Sequence, residues 1–434
     1  MTRFPIAESY QEAVLIMALL RIVDSKSLNL LFRSQVARSK FVKKATARGH
    51  IQRLRISETN RRGERKQQQY YAISSEGIAF LAAKEIPLYE IAIAQSDMVL
   101  FNNRDNHNYA RTRAAAVTTA IIHTYAAGAA IPAATFGAMK DDDDRGSLAI
   151  NEEQQEESRK NLAYSLKDFY RDYITDDDDL RAIAFSRAPD PGDEDYMVFH
   201  DRGLVKQILA MDSVSGNIKD FNAGRYAGIL DSKKKSLMLF VAPRFVMSWA
   251  RWIVNADLNA YRMWGRTNAI TSLQQQQENQ TMAVVIVDNA HNFAYHYNTS
   301  RAGKEKNEVF GGMFAHVYIV PNDAIGVKFL NWLSLSNAKE IIGSMTSFAL
   351  RSGEYQRNNS RSAALFPLQD RMNRETAICL TFDAKQINEI IYHANEHNDQ
   401  QFQVLCIDWQ EDYFRRVMPE NISFRTFPMT IIAE

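Results

Sequence analysis

The chain is poor in the residues that build disulfide frameworks and membrane spans. Only two of its 434 residues are cysteine, Cys379 and Cys406, each in an apolar stretch with no second cysteine or histidine at ligand spacing. This argues against a disulfide framework and a cysteine-based zinc site. The longest apolar runs, Met282 to Val287 and Leu237 to Pro243, are far shorter than the roughly 20 residues of a membrane span. No signal-peptide segment opens the sequence, so we expect a cytoplasmic protein without a membrane partner.

Several catalytic and metal-binding motifs are also missing. The sequence has neither the Gly-x4-Gly-Lys-Ser/Thr spacing of nucleotide hydrolases nor the Gly-x-Ser-x-Gly elbow of hydrolases. His291 and His296 fit neither a strand face nor a helical pair, and His316 opens a separate strand, which argues against a metal triad. The aspartate runs lack the glycine and terminal glutamate of a calcium-binding EF-hand. We therefore expect no cofactor and no bound metal.

The composition is that of a globular protein, but its charges are segregated. Hydrophobic residues make up 46% and charged residues 24%, with 52 Lys and Arg against 51 Asp and Glu. Residues 33–66 contain twelve basic and two acidic residues, whereas residues 141–195 contain eighteen acidic and seven basic ones. A basic block of this density indicates a polyanionic partner. The other interpretation, a solvated cationic surface, remains open.

The first 50 residues have the periodicity of three helices. Apolar residues from Ser9 to Leu20 follow a helical spacing, with Ser9 as N-cap and Glu12 as its capping-box partner. Asp24 could cap a second, short helix that runs to Phe32. A third helix is predicted from Arg38 to Arg48, ended by Gly49. At helical spacing one side of it carries Lys40, Lys43, Lys44 and Ala47, and the other carries Phe41, Val42 and Ala45.

A β-hairpin and a further helix are predicted to follow. Ile51 to Ile56 begins a strand, the polar run from Glu58 to Gln69 forms a long loop, and Tyr70 to Ile73 resumes the strand. Ser74 or Ser75 then caps a closing helix. This order predicts a winged helix-turn-helix whose third helix enters the major groove of DNA while the wing lies over the phosphates. The predicted DNA-binding residues are Arg38, Lys40, Lys43, Lys44, Arg48, Arg61, Arg62, Arg65 and Lys66. A winged helix that binds protein instead is the alternative.

The same region resembles the replication-relaxation family of plasmid and integrative-element proteins. The resemblance covers about residues 9–84: the helix-turn-helix, the exit Gly49-His50-Ile51 into a strand, and the closing segment Tyr71-Ala72-Ile73-Ser74-Ser75-Glu76-Gly77. It implies double-stranded DNA binding during replication, relaxation or conjugative transfer of a mobile genetic element. A relaxase or replication protein, or a second copy of the chain, would be the protein partner.

The remainder of the chain is predicted to contain two further regions. After the winged helix at residues 1–85, residues 86–200 form a helical and acidic connection, with a helix near Tyr109 to Gly128. Its carboxylates could mimic DNA and dock on the basic block. Residues 201–434 alternate strands and helices and predict a mixed α/β domain, so that the chain as a whole is of the α+β or α/β class. Strands are predicted at Arg225 to Leu230, Ser236 to Ala242, Ala283 to Asp288, Ala315 to Pro321, Ala377 to Phe382, Phe402 to Ile407 and Phe424 to Ile431, and helices at Val246 to Ala260, Ala324 to Leu333, Ala338 to Leu350 and Lys385 to Asn398.

A degenerate restriction-endonuclease-like fold is one hypothesis for this α/β domain. Such chemistry needs two carboxylates around a magnesium ion and a nearby lysine. The closest string, Asp231-Ser232-Lys233, is predicted to lie in a turn with its side chains in solvent, and the strand-end residues Asp288 and Asp408 lack the required spacing. We therefore expect a non-enzymatic DNA-binding accessory protein. A winged-helix-targeted metal-dependent nuclease and a transcriptional regulator with a sensing domain are the alternatives.

Overall fold

The protein has a mixed α+β structure with three β-sheets, which confirms the α+β character predicted from the sequence. The computed structural model describes residues 7, 9–59, 65–84, 107–131, 197–212, 224–232, 234–242, 249–267, 281–301, 308–310 and 312–432. None of the helices in these ranges is both long and apolar enough to cross a bilayer. The acidic segment 141–195 lies outside them.

Of the three N-terminal helices, only the first begins where its predicted capping residue places it; the second begins after Lys26 instead of Asp24, and the third begins after Ser34. Helix α1 (Tyr10–Leu20) starts at Ser9, which forms the predicted capping box with Glu12. Strand β1 (Ile22–Asp24) follows, a strand that the sequence analysis did not predict. The second predicted helix is a short 3-10 helix (Ser27–Leu31). Helix α2 (Gln35–Ala47) starts three residues earlier than predicted, because Ser34 caps it.

A three-stranded antiparallel sheet, sheet 1, follows these helices. Strands β2 (Ile51–Thr59) and β3 (Arg65–Ile73) pair from Ile51 opposite Ile73 to Thr59 opposite Arg65, and β1 pairs with the other edge of β3. The long loop predicted for residues 58–69 is therefore wrong, because residues 58–59 and 65–69 belong to the paired strands. Helix α3 (Ser75–Ala82) closes the unit with Ser74 as its N-cap, as predicted.

Helix α4 (His107–Ala126) packs against the face of sheet 1 that lies away from the N-terminal helices, and it joins this sheet to the rest of the molecule. Its Ala115 lies in a buried cluster with Ile22, Tyr70 and Ala72. The Thr118 hydroxyl donates to the carbonyl of Ile22 at 2.6 Å. Sheet 1 is therefore covered on both faces, by the N-terminal helices on one and by α4 on the other.

Sheet 2 has the strand order β4-β5-β6-β7-β8. The first three strands are antiparallel and the last three parallel. Strand β4 contains residue 200, so the domain boundary placed there falls inside a strand. The elements, in chain order, are β4 (Met197–Asp201), α5 (Arg202–Asp212), β5 (Gly228–Ser232), β6 (Ser236–Ala242), α6 (Arg251–Thr267), β7 (Met282–Val287), α7 (Ala290–Arg301) and β8 (His316–Pro321).

Sheet 3 repeats the strand order and directions of sheet 2. Its order is β9-β10-β11-β12-β13, again with the first three strands antiparallel and the last three parallel. The backbone N–H of Ile319 in β8 donates to Phe382 at 3.1 Å, which joins the two sheets. The elements are α8 (Ala324–Leu335), α9 (Ala338–Arg351), β9 (Tyr355–Arg357), β10 (Leu368–Asp370), β11 (Glu375–Ile378), α10 (Ala384–Glu396), β12 (Phe402–Ile407), α11 (Glu411–Phe414) and β13 (Ile422–Phe427).

Two of the predicted strands, β6 and β12, are confirmed to the residue, and the other five begin within three residues of their predicted starts. The prediction for Asp231 is wrong. It lies within β5 and is fully buried, because the hydroxyl of Ser236 and the indole N–H of Trp264 satisfy its carboxylate. His291 and His296 lie on α7, a helix that the sequence analysis missed.

Candidate nucleic-acid interface

Helix α2 is anchored by a narrow apolar face. Phe41, Val42 and Ala45 are buried in the continuous core that also contains residues of sheets 2 and 3. The Ser34 hydroxyl accepts the backbone N–H of Ala37 at 3.1 Å at the start of the helix. Gly49, with φ of +73°, ends it in the left-handed conformation that was predicted. Both ends and one face of the helix are therefore fixed, which leaves the opposite face for contacts.

The outward face of α2 carries two lysines. Helical spacing places Val36, Lys40, Lys43 and Ala47 on one stripe, opposite the buried residues. Lys40 and Lys43 are exposed, and Val36 is 64% exposed. Across the part of the chain that the structure describes, neither lysine has a carboxylate within 4.0 Å. These two ammonium groups are therefore available to a polyanion.

Lys44 and Arg48 lie on the flank of α2 that faces α1. The ammonium of Lys44 sits 4.5 Å, and the guanidinium of Arg48 5.6 Å, from the centre of the Tyr10 ring. The hydroxyl of Tyr10 lies 2.9 Å from Nδ1 of His50. Burial raises the pKa of this hydroxyl, while Arg48 acts in the opposite direction. Both cations remain exposed, so they can meet phosphate while stacked on the ring.

Arg38 is directed toward the turn after β1. Its guanidinium donates to the hydroxyl of Ser25 at 2.8 Å and to the Ser25 carbonyl at 3.3 Å. It also lies 5.7 Å from the centre of the Tyr71 ring. Arg38 is half-buried in this position and ties α2 to sheet 1. Unlike Lys44 and Arg48, which stay exposed beside Tyr10, Arg38 is therefore engaged with the protein itself.

The predicted wing residues are described only in part. Arg65 and Lys66 open β3, opposite Thr59 and Glu58. Arg61 and Arg62 lie outside the described residues. The hairpin itself extends to Thr59, so the segment that carries these arginines connects two paired strands.

Two further arginines, Arg53 and Arg55, belong with this surface, and the predicted set omitted them. Both are exposed on β2, opposite Tyr71 and Gln69 respectively. Cross-strand partners share a face of an antiparallel sheet, so both arginines lie on the face that carries Tyr71 and contacts Arg38. The cationic surface therefore continues from α2 along the hairpin. The alternation of Arg53 and Arg55 within a strand was the sequence signal that could have identified them.

A buried polar network fixes this unit against sheet 2. The Asp24 carboxylate accepts the hydroxyls of Ser27 and Thr119, the latter at 2.8 Å. The side-chain oxygen of Asn322 lies 3.2 Å from the same Ser27 hydroxyl and 2.8 Å from Nε2 of His123. Burial lowers the pKa of His123, which favours its neutral form. The network joins β1, α4 and the end of β8, so sheet 1 and sheet 2 are connected by polar as well as apolar contacts.

A cleft of about 400 Å³ lies beside this network, between the hairpin and the end of β7. The ammonium of Lys26 donates to the carbonyl of Asp288 at its edge. The lining residues are polar or charged: Asp24, Ser25, Lys26, Arg55, Gln68, Gln69 and Asp288. Among the described residues, none donates a hydrogen bond to the side-chain oxygen of Gln68, a buried residue.

The aspartates considered for metal chemistry occupy separate, differently bonded positions. Nε2 of His200 lies 3.5 Å from Oδ2 of Asp231, and burial raises the pKa of Asp231 to about 6 and lowers that of His200 to about 3. Asp288 accepts the side-chain amide of Asn322 at 3.1 Å, and Asp408 accepts the backbone N–H of Trp409 at 2.8 Å. Across the described ranges, no group of three or more His, Cys, Asp or Glu side chains is arranged to hold a metal ion.

Comparison with known proteins assigns the chain to no family. No family model, no curated protein and no solved structure matches the chain.

Proposed function

We propose that residues 9–84 form a winged helix-turn-helix and that the protein binds double-stranded DNA through α2 and the β2–β3 hairpin. The observation that carries the proposal is the outward stripe of α2, where Lys40 and Lys43 are exposed opposite an anchored apolar face. A rigid helix with cations on its free face matches the geometry of a major-groove reader. Arg53 and Arg55 on the adjoining strand would meet the flanking phosphates.

The biological role follows from the resemblance to the replication-relaxation family. In this proposal the protein is a non-enzymatic accessory factor of a mobile genetic element that acts in replication, relaxation or conjugative transfer. Sheets 2 and 3 would then recruit a relaxase, a replication protein or a second copy of the chain. A degenerate restriction-endonuclease-like fold for this half is part of the same proposal. The buried position of Asp231 supports the view that its carboxylate serves the core.

The first test changes Lys40 and Lys43 together to alanine. Each phosphate contact contributes about 0.9 to the slope of log affinity against log salt, so K40A/K43A should lower that slope by about 1 to 2 and weaken binding. The measurement is fluorescence anisotropy of a labelled duplex between about 50 and 200 mM salt.

The matched control is K328A/K385A. It removes the same charge from two exposed lysines on α8 and α10, far from the proposed interface in the sequence. Its slope should equal that of the wild type. If K40A/K43A and K328A/K385A gave the same salt slope, α2 would not be the interface, because any decrease in slope would then reflect the loss of net charge alone.

One observation favours the regulator alternative. The polar cleft beside Lys26 and Asp288 lies at the carboxyl end of β7, where ligands bind in open α/β sheets. It also adjoins the hairpin, so a bound ligand would contact the DNA-binding unit. A small molecule that raises the melting temperature of the wild type, but not of a Gln68→Leu variant, would support a sensing role.

A further inference from the structure

A corner of sheet 3 concentrates arginine. Residues 351–374 contain five arginines, no lysine and two acidic residues. This segment comprises the end of α9, the short strands β9 and β10, and the turn that leads to β11. The cations belong to one compact stretch of the described chain.

The acidic residues of this corner are already committed to other partners. Glu354 pairs with Arg425 of β13. Asp370 pairs with Arg374 at 2.7 Å and also accepts the backbone N–H groups of Met372 and Arg374, at 2.9 and 2.8 Å. Neither carboxylate therefore neutralises the remaining arginines.

The next carboxylate along the chain, Glu375, is committed as well. It accepts the hydroxyl of Ser360 at 2.8 Å and lies 3.4 Å from Nε2 of His393. Within the part of the chain that the structure describes, four arginines of this corner are exposed and have no carboxylate within 4.0 Å. They are Arg351, Arg357, Arg361 and Arg371.

Backbone contacts place these four residues in one corner of sheet 3. Strand β9 pairs with β10, with Arg357 opposite Leu368. The guanidinium of Arg371 donates to the carbonyl of Gly353 at 3.3 Å, two residues after Arg351. The loop that carries Arg361 is tied by Ser360 to Glu375, which pairs with Gln369 of β10. We refer to this group as the arginine corner.

A rigid turn at the arginine corner presents a large apolar side chain to solvent. Met372 is 74% exposed at the tip of the β10–β11 turn. The three bonds to Asp370 fix the turn, and Asn373 adopts a positive φ of +61°. Met372 is therefore held away from the sheet, with Arg371 beside it.

Protection of an exposed sheet edge explains only part of this arrangement. Charged residues on a short edge strand such as β9 discourage edge-to-edge association. That explanation accounts for Arg357, but a polar residue would serve equally well at position 372. An apolar side chain on a fixed turn among arginines is the combination that minor-groove proteins use: arginine enters or flanks the groove and an apolar wedge separates two base pairs.

We propose that the arginine corner is a second DNA-binding surface, which contacts the minor groove of double-stranded DNA with Met372 as a wedge. The inference rests on the proposed DNA binding by α2 and extends it to sheet 3. Four arginines that lack carboxylate partners supply the charge complementarity, since guanidinium pairs well with phosphate. Insertion of Met372 would bend the duplex.

The first experiment tests the charges in the full-length protein. R351A/R357A/R361A/R371A should lower the log-log salt slope by about 2 to 4, which corresponds to about 0.9 for each lost phosphate contact. The control R415A/R416A removes two exposed arginines that follow α11 and are paired with Glu411 and Asp412, so its slope should stay that of the wild type. Circular dichroism melting confirms that each variant is folded.

The second experiment tests the wedge without a change in charge. Met372→Ala should reduce the DNA bend, measured by energy transfer between dyes at the two duplex ends, and leave the salt slope unchanged. Tyr392→Ala, at a 63% exposed aromatic residue of α10, is the control and should bend DNA as the wild type does. A bend that persists in Met372→Ala would overturn the minor-groove assignment.

The outcomes separate this inference from the proposed function. If the quadruple arginine variant kept the salt slope of the wild type while K40A/K43A lowered it, the arginine corner would not bind DNA and α2 would remain the interface. That result would also be expected if the corner binds an acidic protein. Unchanged slopes in both variants would overturn both proposals.

Discussion

Basic residues that look alike in the sequence of α2 have different roles in the structure. Arg38 bonds to Ser25, Lys44 lies over Tyr10, and Lys40 and Lys43 face outward. Helical spacing identified the buried side of the helix, because burial follows the period of the helix. It could not identify Arg38 as a structural residue, since Ser25 belongs to another element.

Asp257 on α6 is a buried carboxyl group that sequence patterns did not identify. Its Oδ1 accepts the backbone N–H of Arg225 at 2.8 Å. Burial raises its pKa to about 7, although the nearby Arg202 acts in the opposite direction. Between its ordinary value of 3.8 and 7, the folded protein therefore holds a proton that the unfolded chain has released. This proton therefore stabilises the folded protein most at pH values below 3.8, the ordinary pKa of the group. The stabilisation is lost as the pH rises to about 7.

We predict that Asp257→Asn weakens this pH dependence. Between pH 5 and pH 8, the free energy of unfolding of the wild type should fall by about 3 kcal/mol more than that of the variant. Asparagine retains the acceptor oxygen and cannot ionise. The measurement is urea unfolding at the two pH values. His200 and Asp231, whose pKa values are also shifted, are common to both proteins, so their effects cancel. Equal losses in the two proteins would show that Asp257 is not buried as described.

At the scale of elements, apolar runs predicted the longer strands in the parallel parts of sheets 2 and 3. Strands β6 and β12 carry near-continuous apolar residues because both of their faces are covered. Strands β1, β9 and β10 were missed, since three residues are too few to show a period. The continuation of the hairpin through its polar residues was missed for another reason: pairing with the opposite strand, and not burial, holds those residues in register.

Two helical glycines should respond in opposite ways to alanine. A Cβ on Gly77 of α3 would fall on the carbonyl oxygen of His50, whereas a Cβ on Gly343 of α9 would have no atom within 4 Å. We predict that G77A lowers the free energy of unfolding by about 1 to 3 kcal/mol. G343A should raise it by about 0.5 to 1 kcal/mol, because alanine favours the helix.

Chemical unfolding of the two glycine variants and the wild type measures these changes. A G77A protein as stable as the wild type would show that α3 is not seated against His50. Since α3 belongs to the proposed winged helix, G77A should also weaken DNA binding more than G343A does.

At the scale of the molecule, the charge segregation found in the sequence makes a prediction about nonspecific binding. Residues 141–195 carry eighteen acidic residues and seven basic ones, opposite in sign to the block at 33–66. If these carboxylates compete with phosphate, replacing Asp141 to Asp144 and Asp176 to Asp179 with asparagine should increase affinity for nonspecific duplex DNA. Because the Debye length is about 8 Å at physiological salt, the gain should be larger at low salt. An unchanged affinity at every salt concentration would contradict the competition.

The shared strand order of sheets 2 and 3 has a consequence for how the chain is assembled during synthesis. In both sheets each strand is adjacent to the next one in the sequence, so a growing chain can add every new strand to an edge that already exists. Sheet 1 differs, because β3 must enter between β1 and β2. A nascent chain that ends after β7 therefore lacks only an edge strand of sheet 2, whereas one that ends before β3 lacks the centre of sheet 1.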